Sequence, residues 1–224
     1  MYQTVLWYSP NDGGVLVRNF MVAPKLLAFL GRSETSFAEL PDLFRQALRS
    51  HSKGDIAEKE LWEIYEKATG SSVVKHEGSL LGKFFEPTLD IPTLEILSEL
   101  KQKGHRVICG TNVNDSHYTI HHQLHQYDIF NHVYASHLMH RAKPDSSFFQ
   151  FILQKEQLKP DQLFFTDDMP SNVASAQEQG LISYPYSDAS TLRLQLMELG
   201  LLQVDNSRQI LPNAGSSATV GAHD

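Results

Sequence analysis

At 224 residues, 41% of them hydrophobic, the chain is long enough to bury one large core, or a core that carries a smaller insertion. The net charge is −7 and the 19 basic residues form no dense run, which argues against nucleic acid as a partner. Cys109 is the only cysteine, excluding an internal disulfide, and no apolar run approaches the length of a membrane span. The N-terminus has no basic stretch ahead of an apolar one. A cytoplasmic chain with no membrane partner is the expectation, with the oligomeric state left open.

In chain order, the run 2–9 is apolar and β-branched and stops at Pro10-Asn11-Asp12-Gly13-Gly14, which predicts a buried strand ending in a loop. From about Phe20 to Phe85 the spacing becomes helical, with apolar residues three and four apart over Ser36 to Leu48 and over Ala57 to Ala68. No strand pattern interrupts this stretch, so a small helical bundle is predicted, with Trp62 packing inside it and Trp7 in the core.

From Asp90 the texture changes to strand–helix alternation. Helices are predicted over 92–103, 115–126, 145–156, 171–179 and 189–199, and strands over 106–110, 132–136, 163–165 and 181–184. Such alternation implies right-handed crossovers and a parallel sheet covered on both faces. The predicted fold class is therefore α/β: a three-layer Rossmann-like core (1–18 and 88–203) with an inserted α-helical cap (19–87). A small, polar tail at 204–224 is expected to be disordered.

Ligands of such sheets bind at the carboxyl ends of the strands. After the second core strand comes Thr111-Asn112-Val113-Asn114. Its hydroxyl and backbone N–H groups ahead of a helix suit an anion, although Asn114 or Asp115 also reads as an ordinary N-cap. After the third comes Lys143-Pro144-Asp145, where the lysine can neutralise a phosphate or a carboxylate. After the fourth, Asp167 and Asp168 directly follow an apolar strand. Two adjacent acids repel when both are charged, and a hard cation such as Mg²⁺ relieves that. A hydroxyl, a lysine and a carboxylate pair at three successive strand ends are the ingredients of Mg²⁺-assisted phosphoryl transfer.

His117, His121 and His125 fall four apart, a spacing in which two could share a metal. A polar helix face, with His117 and Asn114 lining the cleft under the cap, is the favoured reading, because no cysteine or acidic partner accompanies them. His122, His132, His137 and His140 follow no ligand spacing.

The segments Lys103 to Val107, Thr111 to Asn114 with His117, Lys143 to Asp145, and Phe164 to Asn172 followed by Ala174, Ala176 and Gly180 resemble the haloacid dehalogenase (HAD) superfamily in order and spacing. The likeness extends over roughly residues 5 to 200. It is closest to the branch of bacterial sugar-phosphate phosphatases such as α-D-glucose-1-phosphate phosphatase, whose helical cap Lys53-Gly54-Asp55-Ile56 resembles. The resemblance implies a phosphatase of a small phosphorylated metabolite, with Thr111 and Asn112 binding phosphate, Lys143 steadying its charge, and Asp167 and Asp168 holding Mg²⁺.

The resemblance also implies a nucleophilic aspartate after the first strand, and there the sequence departs from the family. Aligning Val15-Leu16-Val17 places Asn11 at the nucleophile position, and aligning Asp12-Gly13 places Pro10 there. With an insertion Ser9 takes it, and a one-residue shift of the loop recruits Asp12. An asparagine amide is a very poor nucleophile and removes a negative charge from the metal site. Two readings follow: a hydrolase of weakened activity with Asp12 as substitute, or an inactive pseudoenzyme that keeps a phosphate-binding or regulatory role.

Overall fold

The computed structural model describes residues 3–6 and 14–203. Asn11 and Asp12, and the tail 204–224, lie outside those residues. The core is a five-stranded sheet of β1 (Gln3–Leu6), β4 (Val107–Thr111), β5 (His132–Ala135), β6 (Leu163–Asp167) and β7 (Ile182–Pro185). Its order is β5-β4-β1-β6-β7 with every pairing parallel, and β1 at the centre aligns Leu6 with Cys109 on one side and Thr166 on the other. Parallel neighbours need crossovers, supplied by α5 (Ile91–Gln102), α6 (Asp115–Gln123), α7 (Ser136–Met139), α8 (Ser146–Glu156) and α9 (Pro170–Glu178), while α10 (Ala189–Glu198) follows the last strand.

Strand β6 shows how the two faces fill. Side chains alternate along a strand, so Phe164 enters the apolar cluster with Ile96, Leu97, Leu192 and Leu196, while Phe165 enters the cluster with Phe148, Phe149, Val173 and Ala176. Helices thus cover both faces, and the three-layer α/β fold with a parallel sheet is observed.

The cap comprises α1 (Ala23–Phe29), α2 (Asp42–Ser52), α3 (Glu58–Thr69) and the short α4 (Leu80–Lys83). It hangs on a ribbon absent from the sequence expectation: β2 (Val17–Arg18) pairs antiparallel with β3 (Thr88–Leu89), so the chain leaves and re-enters the core side by side. Phe44, Trp62 and Tyr65 pack as an aromatic triad inside the cap.

The helix predicted over 36–48 is two pieces. Ser36 and Glu39 form a capping box around a 3-10 turn, Phe37–Glu39, and α2 begins only after Pro41. Proline disfavours the helical region for its predecessor, and Leu40 is accordingly extended. The helix predicted over 115–126 ends at Gln123, with His125 in the left-handed conformation at φ 57°.

The cap closes on the core through histidine and serine. Ser136 Oγ donates to the Ser52 carbonyl at 2.5 Å, and His117 stacks on Phe85 at 3.8 Å while its Nε2 lies 3.1 Å from the Leu81 carbonyl. His121 Nδ1 meets Gln126 Oε1 at 2.6 Å, and the same Gln126 donates to the Pro87 carbonyl at 2.8 Å. No helix among the described residues is long and apolar enough to cross a membrane.

Candidate active site

The carboxyl ends of β4 and β6, and the loop after β5, bring Thr111, Asn112, Lys143, Asp167 and Asp168 to one edge of the sheet. Asp167 ends β6 and is fully buried, because the apolar strand carries it inward. Burying a carboxylate is costly unless it is paired. Lys143 pairs with it at 2.7 Å, both side chains being wholly shielded from solvent. The other oxygen of Asp167 accepts from the Met169 N–H at 2.8 Å and from Asn172 Nδ2 at 2.9 Å.

The lysine is aimed by Asn112. Its carboxamide donates to the Lys143 carbonyl at 2.8 Å and accepts from the Lys143 N–H at 2.9 Å, clasping that peptide from both ends. The Asn112 side chain is thereby engaged with protein, which leaves its backbone, not its carboxamide, for an anion. Thr111 is fully buried at the end of β4, and Asn114 caps α6 by accepting from the His117 N–H at 3.0 Å. His117 is buried at the seam with the cap rather than open to solvent, and burial lowers its pKa to about 4.

Asp168 differs from its neighbour. Its Oδ1 is buried and has no hydrogen-bond partner among the described residues, and burial pushes the carboxyl up to about 6, with the charge of Asp167 adding to the rise. Lys143 and the Gly14 backbone N–H act in the opposite direction. A desolvated oxygen with no hydrogen-bond partner among the described residues suits a hard cation, and Mg²⁺ binds through one or two carboxylates while keeping several waters. No group of three or more His, Cys, Asp or Glu suited to a metal occurs among the described residues. The histidine spacing assembles no such group either: His121 is buried against Gln126, and exposed His125 pairs with Asp128 at 3.0 Å beyond the end of α6.

The supporting contacts of Asn172, Met169 and Gly14 have no sequence signal beyond their place near the acidic pair. Those of Asn172 and Met169 arise from the way the chain turns after β6.

A family profile described as haloacid dehalogenase-like hydrolase matches residues 14–180. A sesquiterpene phosphatase of Aspergillus oryzae, AstK, is 26% identical over 161 residues, covering 65% of this chain and 82% of that protein. Among solved structures, a HAD family enzyme from Bacteroides thetaiotaomicron in complex with magnesium superposes with a TM-score of 0.67 at 23% identity, covering 86% of this chain and 98% of its own. A HAD-like family hydrolase from Porphyromonas gingivalis gives a TM-score of 0.70 at 18% identity, covering 91% and 100%. At these identities the structural matches speak for the fold.

Proposed function

The chain belongs to the haloacid dehalogenase-like hydrolases, and from that premise we propose that it removes phosphate from a small phosphorylated metabolite, with Mg²⁺ held beside Asp168. The observation that carries this reading is the buried Lys143–Asp167 pair set next to a carboxylate with an unengaged oxygen. Besides a nucleophile, phosphoryl transfer demands positioning and neutralisation of charge. Lys143, held on Asp167 and clasped by Asn112, would meet the phosphoryl oxygens, with Thr111 and the backbone that follows it donating hydrogen bonds. Asp168 would hold the cation, and Asp167 acts by holding the lysine. Bound there, Mg²⁺ would neutralise charge on the phosphate. The cap, taken as residues 19–87 on the β2–β3 ribbon with the core as 1–18 and 88–203, would enclose the rest of the substrate.

The nucleophile distinguishes two forms of this reading. With Asn11 at the family's aspartate position, turnover depends on Asp12 as substitute. Without such recruitment the chain is a pseudoenzyme that binds phosphate ligands. Two substrate classes follow from the similarities: a sugar phosphate, from the resemblance to glucose-1-phosphate phosphatases, and an isoprenoid phosphate, from the relative AstK.

The test is phosphate release with Mg²⁺ from glucose 1-phosphate and from a sesquiterpenyl phosphate, using wild type, Asn11→Asp, Asp12→Ala and Asp168→Ala. Wild-type activity lost in Asp12→Ala supports recruitment. A silent wild type that gains activity in Asn11→Asp supports the pseudoenzyme form. If no variant turns over and neither Mg²⁺ nor inorganic phosphate raises the melting temperature, the proposal fails.

A further inference from the structure

Strands β4 and β5 run side by side with Thr111 opposite Ala135, so the residues that follow them leave the sheet together. Val113, in the loop proposed above to meet phosphate, is thereby brought against Ser136 and His137 at the start of α7. Its N–H donates to Ser136 Oγ at 2.9 Å, and its carbonyl lies 2.9 Å from His137 Nδ1. A carbonyl only accepts, so Nδ1 carries the proton and Val113 is held by both of its backbone groups. Ser136 is fully buried, and its hydroxyl also reaches the cap, lying 2.5 Å from the carbonyl of Ser52, the last residue of α2. The Val113 carbonyl is a second acceptor at 3.2 Å, and the single hydroxyl proton favours the shorter contact. The approach of the cap depends on Gly54, where a Cβ would lie 2.3 Å from the His137 carbonyl oxygen.

A serine at the start of a helix ordinarily caps it by accepting from a backbone N–H two or three residues on. Ser136 does not: no side-chain hydrogen bond caps α7, and its hydroxyl is engaged with Val113 and Ser52 instead. We propose that Ser136 is a positioning residue that fixes the loop 111–114 and couples it to the seating of the cap. This rests on the phosphate role proposed above for Thr111 and the backbone that follows it. The Val113 N–H, the Ser136 hydroxyl and the Ser52 carbonyl form a chain whose middle member accepts and donates at once. Links of that kind polarise one another, so seating Ser52 strengthens the hold on Val113. With the cap displaced, the hydroxyl has only the longer contact to the Val113 carbonyl and no longer joins loop to cap. Coupling of this sort is reciprocal: an anion that favours the ordered loop must also favour the seated cap. Asn112, clasping the Lys143 backbone, holds the other side of the loop independently of the cap.

Hydrogen exchange in the full-length protein, read amide by amide, tests this. Val113 reports the loop through its bond to Ser136. Gly54 and Asp55, whose N–H groups donate to the carbonyls of His51 and Ser50 at 2.9 Å, report the cap. Ser136→Ala is expected to speed exchange at all three by about tenfold or more, with the amides of α10 unchanged. Gly54→Ala keeps the hydroxyl but pushes the cap away, and is expected to speed exchange at Val113 by about threefold or more. Inorganic phosphate with Mg²⁺ should slow exchange at Gly54 and Asp55 by about threefold or more in wild type and leave both unchanged in Ser136→Ala. Arg45→Gln, which removes the exposed pair with Asp42 on α2, is expected to keep the Val113 protection and the phosphate response. Val113 protection that survives Ser136→Ala, or is lost there along with that of every other amide, overturns the inference. So does a Gly54→Ala protein whose cap loop opens while Val113 stays protected, or phosphate that binds wild type without slowing the cap amides. A wild type that calorimetry shows to bind no phosphate defeats the phosphate reading of the loop instead, while Val113 exchange in the two variants still decides whether Ser136 joins loop to cap.

Discussion

Two adjacent carboxylates with different surroundings do different work. Asp167 has each oxygen engaged, by Lys143 on one side and by Met169 and Asn172 on the other, whereas Asp168 keeps a buried oxygen without a hydrogen-bond partner among the described residues. With its pKa raised to about 6 from an ordinary value near 4, the folded protein binds a proton more tightly than the unfolded chain does. The stability this contributes is present below about pH 4 and is lost as pH rises through about 6. In metal-free protein at pH 8, Asp168→Asn is therefore expected to be stabilising, by about 1–2 kcal/mol after allowance for partial solvent screening. The gain should vanish at pH 4. Urea unfolding at the two pH values checks this, and a variant less stable than wild type at pH 8 would show that the carboxylate is not strained.

Among the elements, the loop between α2 and α3 shows how closely the cap is seated. Gly54 adopts φ 71°, and a Cβ placed on it would lie 2.3 Å from the carbonyl oxygen of His137 in α7. Nearby, Ser136 bonds the Ser52 carbonyl and His140 pairs with Asp55 at 3.3 Å. Gly31 has a similar φ of 73° but open space around it. Gly54→Ala thus combines a left-handed strain with a backbone clash, while Gly31→Ala carries the strain alone. The expected outcome is a loss of about 1 kcal/mol for Gly31→Ala and at least about twice that for Gly54→Ala. Faster hydrogen exchange over 52–56 and 136–140 is expected only in the second. Equal effects of the two substitutions would mean that the cap does not close against α7.

Across the molecule, buried histidines set the response to acid. Burial lowers His117 and His121 each to about 4, although their hydrogen bonds to Leu81 and Gln126 favour the charged form. The unfolded chain takes up protons on them from about pH 6.5 downward and the folded chain does not, so their contribution falls as pH drops from about 6.5 to about 4. Asp168 changes in the opposite direction over about pH 6 to 4, but one carboxyl opposes two histidines, each worth up to about 3 kcal/mol by the lower limit. The melting temperature is expected to fall between pH 6.5 and pH 4.5, and His117→Gln with His121→Gln should flatten the curve. A wild-type curve that is level or rises on acidification would contradict this account. Both residues lie at the seam with the cap, so acid should loosen that seam first, which exchange at 80–87 would reveal.

Local pattern and order along the chain were enough to indicate the alternating core, the helical cap and a cluster of Thr111, Lys143, Asp167 and Asp168 at the strand ends. Hydrophobic period, turn residues and chain order carry that information, and parallel strands must present their carboxyl ends together. The break at Pro41 was missed within the helix predicted over 36–48, although its effect on Leu40 is local. Tertiary structure alone decided which of two neighbouring aspartates is paired, that Asn112 clasps the lysine, and that β2 and β3 form the ribbon under the cap. It also decided that the loop after β4 and the cap, far apart in sequence, meet at Ser136. Those outcomes depend on which groups are brought together and which are desolvated when distant segments pack. A residue's spacing along the chain does not carry that information, and the pairing of a buried charge is decided only once the fold has closed around it.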